Sequence, residues 1–276
     1  MRDLAITIEG LHKTYGAKAA VNGVNLTVHK GEIFALLGPN GAGKTTTVEI
    51  LEGHRIRTSG DVSVLGFDPG LEESEFKQKI GIVLQSTGVE PYLTVKETID
   101  LFARYYRNRQ SPENIMEITG LSELSEIRVK RLSGGQQRRL DVAIGLVGDP
   151  DLLFLDEPTT GFDPSARRSA WHMINNLRSL GKTIFLTTHY MDEAQNLADR
   201  VAIMMNGKII REGSPDELTG KESITIIRFY LDTDTKDLPL DILAEVKSIA
   251  GMITIETSNP EKILFSLTNW SISNAV

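Results

Sequence analysis

Short apolar runs alternate along the chain with longer stretches in which apolar residues recur at helical spacing. Each run is bounded by turn-forming or polar residues, which predicts a buried strand. Strands that alternate with helices are typical of a largely parallel sheet with helices on its faces. Near the start, residues 4–8 and 24–28 predict strands of a more exposed, antiparallel region. The predicted buried strands are residues 33–37, 80–84, 152–155, 183–187 and 201–205.

Two local signals follow the last of these strands. The Asn206-Gly207 pair predicts a β-hairpin with a second strand at residues 208–211. The segment 214–217, Ser-Pro-Asp-Glu, resembles a capping box with proline at the first helical position. It therefore predicts a helix that closes this region near Gly220.

The pattern changes beyond Lys221. Residues 222–232 and 252–257 predict strands, and residues 240–249 predict a helix between them. This segment is interpreted as a small α+β appendage. The expected domains are residues 1–220, with a helical subdomain at about 86–148, and an accessory domain at 221–276.

Composition and charge exclude several classes of protein. The chain has 276 residues, of which 40% are apolar and 24% are charged, as is usual for a globular protein with a sizeable core. Its net charge is −7 and it has no cluster of Lys or Arg, so nucleic acid and a direct polybasic contact with lipid are not expected. It contains no cysteine, which excludes disulfides, iron–sulfur clusters and thiolate zinc sites.

The sequence shows no signal for secretion or membrane insertion. The first residues lead directly into a strand-like alternation, without an apolar segment or a cleavage site. The longest apolar runs are far below the roughly 20 residues that span a bilayer. We therefore expect a soluble, cytoplasmic protein.

The strongest chemical signal is a glycine-rich segment that matches GxxxxGK[ST]. It follows the predicted strand 33–37 and precedes a helical stretch, as a phosphate-binding loop does. Glycines let backbone N–H groups turn towards phosphates, lysine places its charge on the β/γ oxygens, and the first threonine can bind Mg²⁺. The alternative is a glycine-rich turn that happens to carry Lys-Thr. The predicted ATP-binding residues of this loop are Gly38, Pro39, Asn40, Gly41, Ala42, Gly43, Lys44, Thr45 and Thr46.

Two carboxylates follow the predicted strand 152–155. In a doubly wound sheet, ligands bind beyond the carboxyl ends of the strands. Asp156 is then placed to hold Mg²⁺, directly or through water, and Glu157 to polarise an attacking water. The alternative is a pair of solvated loop acids, but the strand and the phosphate loop favour a catalytic role.

Polar residues also follow two other strands. Gln85 comes after residues 80–84, and His189 comes shortly after residues 183–187. Each alone is uninformative, but together with the phosphate loop and the carboxylates they predict one convergent site. His189 is the candidate for orienting the γ-phosphate and water, and Gln85 for sensing Mg²⁺. The predicted metal-binding residues are thus Thr45, Gln85 and Asp156.

A second glycine-containing segment opens an amphipathic stretch that runs to Leu146. Ser133 is a natural N-cap, and Gly134 and Gly135 leave backbone N–H groups exposed ahead of Gln136. The segment is either a capped helix or a second anion-binding helix N-terminus. Spacing alone leaves both readings open.

The phosphate loop, Gln85, Leu-Ser-Gly-Gly-Gln at 132–136, the run 152–158 and His189, in this order, resemble the nucleotide-binding domain of ABC (ATP-binding cassette) proteins. The resemblance covers residues 4–219. It implies an α/β fold of the P-loop NTPase class, with an antiparallel β subdomain and a helical subdomain. It also implies a head-to-tail dimer with two ATP molecules at the interface. Each ATP is held by one copy's phosphate loop and by Ser133, Gly134, Gly135 and Gln136 of the other.

The resemblance assigns two more residues. It implies that Tyr15 stacks on adenine, against the alternative of an ordinary surface aromatic. It also implies that Asp163 belongs to the loop that links the two active sites, called the D-loop. Phe162 stands where the family usually has leucine, which leaves the packing of this loop open.

Several stretches are similar to the subgroup that serves drug, antibiotic and polysaccharide exporters, such as daunorubicin-resistance ATP-binding subunits. Members commonly carry a short C-terminal appendage and continue past the region of Trp270, whereas this sequence stops at Val276; a truncated and a natural short form both stay open. The stretches are residues 93–98, 137–140, 156–161 and 191–194.

The resemblance predicts an ATPase that powers an exporter. The expected partners are a second copy and a separate membrane-spanning permease. The protein is expected to lie on the cytoplasmic face of the membrane and to contact the membrane only through this permease. The alternatives are an importer ATPase and a soluble ABC ATPase such as an iron–sulfur assembly ATPase. Chromosome-maintenance types are excluded by the absence of a long coiled coil between Thr46 and Leu132, and translation-factor types by the single cassette.

Overall fold

The computed structural model describes residues 3–71, 73–83, 88–219, 225–230, 246–249, 252–257 and 260–274. The chain divides into two compact units, residues 1–215 and residues 216–276. Every predicted site residue that the structure describes belongs to the first unit.

A six-stranded sheet organises the described part of the first unit. Five strands run parallel, and the last one pairs antiparallel with its neighbour. The predicted buried runs are therefore strands and the fold class is α/β, as expected; residue 84 lies outside the described residues. In spatial order the strands are β5 (Ile80–Val83), β6 (Leu152–Asp156), β7 (Thr183–Thr188), β3 (Ile33–Leu37), β8 (Arg200–Met205) and β9 (Lys208–Gly213).

A second, antiparallel sheet confirms the predicted strands near the start of the chain. It contains β2 (Lys18–His29), β1 (Leu4–Tyr15) and β4 (Ser59–Val64), in that order, and the first two are much longer than predicted. Ile6 and Ile8 of β1 belong to the same apolar core as Phe34 and Phe185 of the parallel sheet. The two sheets thus share one core.

Helices occupy the segments between the strands. Three of them, α3 to α5, contact one another within the segment for which a helical subdomain is predicted. Ser133 caps the longest of these three, as its sequence indicates. The helices of this unit are α1 (Lys44–Leu51), α2 (Ser74–Lys79), α3 (Val95–Ala103), α4 (Pro112–Thr119), α5 (Gly134–Leu146), α6 (Pro164–Ser179) and α7 (Met191–Leu197), and short 3-10 turns lie at Pro69–Leu71, Ser122–Leu124 and Val129–Arg131.

The predicted hairpin is present between β8 and β9. Asn206 and Gly207 have φ values of 50° and 78°, the left-handed conformation that a tight hairpin turn requires. Helix α8 (Pro215–Thr219) follows with proline at its first position, as predicted. The boundary between the two units falls at the start of this helix.

The second unit contains an antiparallel sheet and one helix among its described residues beyond α8. The sheet order is β10 (Thr225–Tyr230), β12 (Met252–Thr257) and β11 (Val246–Ile249), and the helix is α9 (Pro260–Asn274). Ile253, Ile255 and Ile263 form its core.

The helix predicted at residues 240–249 is wrong over its described part. Val246–Ile249 is a strand that pairs antiparallel with β12. Val246 and Ile249 are three residues apart, which is helical spacing, but backbone pairing with a neighbouring strand outweighs it. Helix α9 was not predicted. In the parts of the chain that the structure describes, no helix is long and apolar enough to cross a bilayer.

Candidate functional site

The phosphate-loop sequence forms a turn between the buried strand β3 and helix α1. The Gly38 N–H donates to the carbonyl of Thr188 at the end of β7, at 3.1 Å. The Gly207 N–H of the β8–β9 hairpin donates to the Ala42 carbonyl at 2.8 Å. The loop is thus fixed to two neighbouring elements of the sheet.

Two glycines of this loop leave no room for a side chain. A Cβ atom on Gly38 would lie 2.3 Å from the Met204 carbonyl oxygen. A Cβ atom on Gly43 would lie 2.4 Å from the Ala20 carbonyl oxygen, and the φ of Gly43 is 109°. Because these contacts are with backbone atoms, which cannot move aside, glycine is required at both positions.

Lys44 is nearly buried, with 5% of its surface exposed, and points back into the loop. Its ammonium group donates to the carbonyls of Gly38, at 2.8 Å, and Pro39, at 3.3 Å. It also lies 3.5 Å from Oε1 of Glu157. The positive charge of the phosphate loop therefore meets the carboxylate that follows β6.

Asp156 ends β6, and Glu157 follows it. The Thr187 hydroxyl on the neighbouring β7 donates to Oδ1 of Asp156 and accepts the Glu157 N–H at 3.1 Å. The Glu157 N–H also lies 3.2 Å from the Thr187 carbonyl. One threonine thus fixes the position of both carboxylates.

Lys44, Thr160 and His189 lie beside the Glu157 carboxylate among the described residues. Thr160 donates a hydrogen bond to Oε2 at 3.1 Å, and Nδ1 of His189 lies 3.4 Å from the same oxygen. Burial raises the pKa of the Glu157 carboxyl, but the Thr160 hydrogen bond and the charges of Lys44 and His189 outweigh it and lower the pKa. Glu157 is therefore ionised at neutral pH and can orient a donor such as water.

His189 follows β7 and is partly buried. Its Nδ1 is close to Glu157 but lacks hydrogen-bond geometry to any described group. The backbone holds the segment, because the Tyr190 N–H donates to the Thr188 hydroxyl at 3.0 Å. The histidine ring is thus held beside the carboxylate, with the buried Nδ1 turned towards Glu157.

A cavity of about 730 Å³ opens over the phosphate loop. Its walls bring together most of the residues that the sequence predicts for ATP and Mg²⁺. Gln85, predicted for Mg²⁺, lies outside the described residues. The predicted residues that line the cavity are Tyr15, Asn40, Gly41, Gly43, Lys44, Thr45, Thr46, Asp156 and Glu157.

Tyr15 lies at the rim of this cavity, at the end of β1, and is 43% exposed. The Lys13 ammonium and the Arg55 guanidinium lie 5.1 and 5.4 Å from the centre of its ring. These cations contact the aromatic ring in this structure. The ring nonetheless remains accessible from the cavity.

The segment 133–136 does not line the phosphate-loop cavity of its own chain. Ser133, Gly135 and Gln136 instead border a separate groove of about 330 Å³, together with Phe162 and Asp163. The Ser133 hydroxyl accepts the Gln136 N–H at 3.3 Å, and the Gln136 side chain accepts the Ser133 N–H at 2.9 Å. The capped-helix interpretation is therefore correct, and it leaves an anion-binding role possible.

Asp163 caps helix α6 in the same groove. Its carboxylate accepts the N–H groups of Ser165, at 2.8 Å, and Ala166, at 2.9 Å. The hydrogen bonds from Ala166 and Ser165 lower the pKa of this carboxyl. The turn before α6 is thus fixed to the start of that helix, and it lines the same groove as Ser133.

The donor set of the cavity fits Mg²⁺ rather than a metal held by protein alone. Thr45 and Asp156 offer the oxygen ligands that Mg²⁺ prefers. Among the described residues, no three His, Cys, Asp or Glu side chains converge on one metal position. Mg²⁺ is usually bound by one or two protein oxygens together with substrate phosphates, which matches this site.

Sequence reasoning missed several residues that shape the site. Thr187 lies on β7 just before His189, and the rule that polar residues at strand ends form the site would have found it. Thr160 and Arg138 gave no such signal, because their partners become visible only in the folded chain. Asn206 and Gly207 were predicted only as a turn, yet they line the cavity.

Comparison with known proteins finds similarity to ATP-binding proteins of ABC transporters. The family model for the ABC transporter matches residues 21–160. Nod factor export ATP-binding protein I of Burkholderia lata is 38% identical over 266 residues, which cover 94% of this chain and 88% of that protein. Daunorubicin resistance ATP-binding protein DrrA3 of Streptomyces coeruleorubidus is 38% identical over 278 residues, which cover 92% and 88%.

Solved structures of similar fold are ATP-binding cassettes. CbiO1 from Clostridium perfringens, part of the ABC transporter complex CbiONQ, matches with a TM-score of 0.71 and 29% identity, over 80% of this chain and 92% of that one. The cassette MJ0796, solved as a dimer bound to ADP and Pi, matches with a TM-score of 0.67 and 26% identity, over 76% and 98%.

Proposed function

The chain belongs to the ABC transporter family as an ATP-binding subunit of the exporter type, and from this premise we propose that it hydrolyses Mg-ATP to drive transport through a separate permease. The observation that carries the proposal is the meeting of Lys44 and Glu157 at one cavity, with His189 beside Glu157. A cation that binds phosphate and an ionised carboxylate that polarises water are groups that hydrolysis of a phosphoanhydride can use.

We assign the roles of the phosphate loop as follows. When ATP binds, the Lys44 ammonium leaves the carbonyls of Gly38 and Pro39 and the Glu157 carboxylate, and contacts the β- and γ-phosphate oxygens instead. Phosphate oxygens carry more negative charge than a carbonyl oxygen. The N–H groups of residues 40–46 face the phosphates, and the adenine stacks on Tyr15. Thr45, Asp156 and Gln85 hold Mg²⁺ or its water ligands. Bound Mg²⁺ neutralises phosphate charge and acts as a Lewis acid.

Glu157 polarises the attacking water, and His189 orients that water and the γ-phosphate. The lowered pKa of Glu157 supports this, because the carboxylate is already ionised and accepts a hydrogen bond from water. His189 offers an imidazole nitrogen beside the carboxylate. The pair lies at the carboxyl edge of the parallel sheet, where ligands of such sheets bind.

We propose that two copies complete the site. Ser133, Gly135 and Gln136 border a groove that is separate from the phosphate-loop cavity, which supports a role of Ser133, Gly134, Gly135 and Gln136 at a nucleotide held by another chain. Exposed N–H groups at a capped helix N-terminus bind anions. Asp163, beside this segment, then lies at the interface and links the two sites.

The transport partner is a membrane-spanning permease on a separate polypeptide, which places this chain on the cytoplasmic face of the membrane. The relatives are named for Nod factor export and daunorubicin resistance, which supports an amphipathic or polymeric export substrate. The domain limits proposed are 1–220 for the ATPase and 221–276 for the appendage. The permease, not this chain, selects the substrate.

Phosphate release from Mg-ATP by the purified protein tests the proposal. Glu157→Gln keeps the shape of the side chain but removes its charge, so turnover should fall about 10²–10⁴-fold while ATP binding survives. The control is Glu9→Gln, the same chemical change at an exposed position of β1, which should keep the wild-type rate. Wild-type turnover in Glu157→Gln, or no hydrolysis by the wild type with its permease, would contradict the proposal.

A further inference from the structure

Arg138 on helix α5 spans the backbone on both sides of Glu157. Its Nε donates to the carbonyl of Pro158 and its Nη2 to the carbonyl of Asp156, each at 3.2 Å. The side chain is buried, with 6% of its surface exposed. One guanidinium group therefore holds the carbonyl before Glu157 and the carbonyl after it.

The backbone at Glu157 needs such support. Its φ is 45°, in the left-handed region that residues with a side chain rarely adopt. Conformations of this kind persist only where the surroundings determine them from several sides. Thr187 holds the Glu157 N–H from the β7 side, and Arg138 holds the two flanking carbonyls from the α5 side.

The charge of Arg138 is balanced inside the protein. Asp141, one turn along the same helix and also buried, lies 3.7 Å from its Nη1. Asp156 and Glu193 add negative charge nearby. A buried arginine without such partners would strongly destabilise the fold. The surrounding carboxylates therefore stabilise the charged guanidinium at this position.

We propose that Arg138 is a positioning residue for Glu157, and that it ties Glu157 to the helix that begins with the 133–136 segment. The proposal rests on the function proposed above, in which Glu157 polarises water and residues 133–136 meet the ATP of a second copy. Arg138 and residues 133–136 belong to one rigid element, α5 with its cap. Movement of that helix on contact with the second ATP reaches Glu157 directly through the guanidinium.

The geometry calls for arginine and not for another cation. The planar guanidinium presents two donors in a fixed fork, which reaches two carbonyls at once. A lysine keeps the charge beside Asp141 but places one mobile ammonium group where two donors are needed. Arg138→Lys therefore keeps the positive charge but removes the paired donors that reach the two carbonyls.

The test is a pair of substitutions analysed as a double-mutant cycle. Arg138→Lys should lower kcat for ATP hydrolysis about 10- to 100-fold, as expected for a slightly misplaced catalytic group, with little change in KM or in equilibrium ATP binding. In a Glu157→Gln background, the residual single-turnover rate should not fall further, because the carboxylate on which Arg138 acts is already gone. Arg109→Lys, the same change at an exposed position, should leave both rates unchanged.

Two results would overturn the proposal. Equal loss of rate with and without the Glu157 carboxylate would mean that Arg138 acts on the fold in general. An Arg138→Lys protein that keeps Glu157 and hydrolyses ATP at the wild-type rate would mean that the fork is unnecessary. Should Arg138→Lys fail to fold, Arg138→Met combined with Asp141→Leu removes both members of the buried ion pair together and is judged by the same comparison. Failure of the proposed function is distinguishable, because Glu157→Gln alone would then turn over at the wild-type rate.

Discussion

Among single residues, Glu157 has the environment that bears most directly on chemistry. Its carboxylate lies between Lys44, Thr160 and His189, and its backbone is held by Thr187. Burial alone would favour a neutral acid, but the Thr160 hydrogen bond and the neighbouring Lys44 and His189 lower the pKa of Glu157. Glu157 is thus ionised at neutral pH, as its proposed role in polarising water requires.

Removing the Thr160 hydroxyl should raise the pKa of Glu157. Thr160→Val keeps the shape of the side chain but deletes the hydrogen bond that lowers this pKa most. Because the pKa of Glu157 is lower in the folded state, its charge stabilises the fold above the unfolded pKa, and this contribution is lost as pH falls through the folded pKa. The substitution should therefore cost more stability at pH 7 than at a pH where Glu157 is protonated.

A carboxyl ¹³C NMR titration checks this prediction, with Glu157→Gln used to assign the resonance. A Glu157 resonance that titrates at the same pH in wild type and Thr160→Val would show that the hydroxyl does not stabilise the charge. Wild-type hydrolysis should likewise show no titration of Glu157 near neutral pH.

At the scale of elements, helix α5 combines two roles. Its N-terminus carries a capping box, and its first turns carry the Arg138 fork to the Glu157 backbone. A cap and an anion site use the same N–H groups, so deletion of the cap would affect both helix stability and anion binding. A substitution that caps equally well but carries negative charge would disturb anion binding alone.

Ser133→Asp should preserve helix α5 but abolish ATP-dependent pairing. Aspartate caps helices about as well as serine, so thermal unfolding should be nearly unchanged, whereas Ser133→Ala should lose about 0.5–2 kcal/mol of stability. The aspartate charge repels the phosphates of a facing nucleotide. ATP-dependent dimerisation of both variants, measured beside their unfolding curves, makes the comparison. Normal pairing of Ser133→Asp would rule out an anion-binding role for this helix.

The sequence was most informative where one element carries its own signal. The apolar runs predicted the central strands, and the residues after them predicted Asp156, Glu157 and His189 at one edge of the sheet. Residues that act across elements gave no such signal. Thr187 is 30 residues from Glu157 and Arg138 is 20 residues from Pro158, so only folding brings them together.

In the second unit, the sequence pattern predicted the secondary structure less well. Val246 and Ile249 have helical spacing, and the helix prediction there was wrong because the segment pairs with β12. Helix α9 was missed although it begins with proline, a usual first helical residue. In such a short segment, pairing with a neighbouring strand determines the secondary structure more than the apolar pattern does.

At the scale of the whole molecule, the first unit presents two half-sites. The phosphate-loop cavity is lined by Lys44, Asp156 and Glu157, with His189 beside Glu157, and the groove is lined by Ser133, Gly135 and Gln136 at the start of helix α5. Within one chain these half-sites line different cavities. In the proposed head-to-tail pair, each cavity would face the other copy's groove, so hydrolysis would require both copies.

The mass of Glu157→Gln in solution with Mg-ATP tests this account most directly. Because ATP that binds only the paired form stabilises it, and this variant does not consume the ATP, the dimer should accumulate. Size-exclusion chromatography with light scattering should give a monomer without nucleotide and a dimer with two ATP molecules at saturating Mg-ATP. A variant that binds ATP at saturation yet keeps the monomer mass would contradict the account.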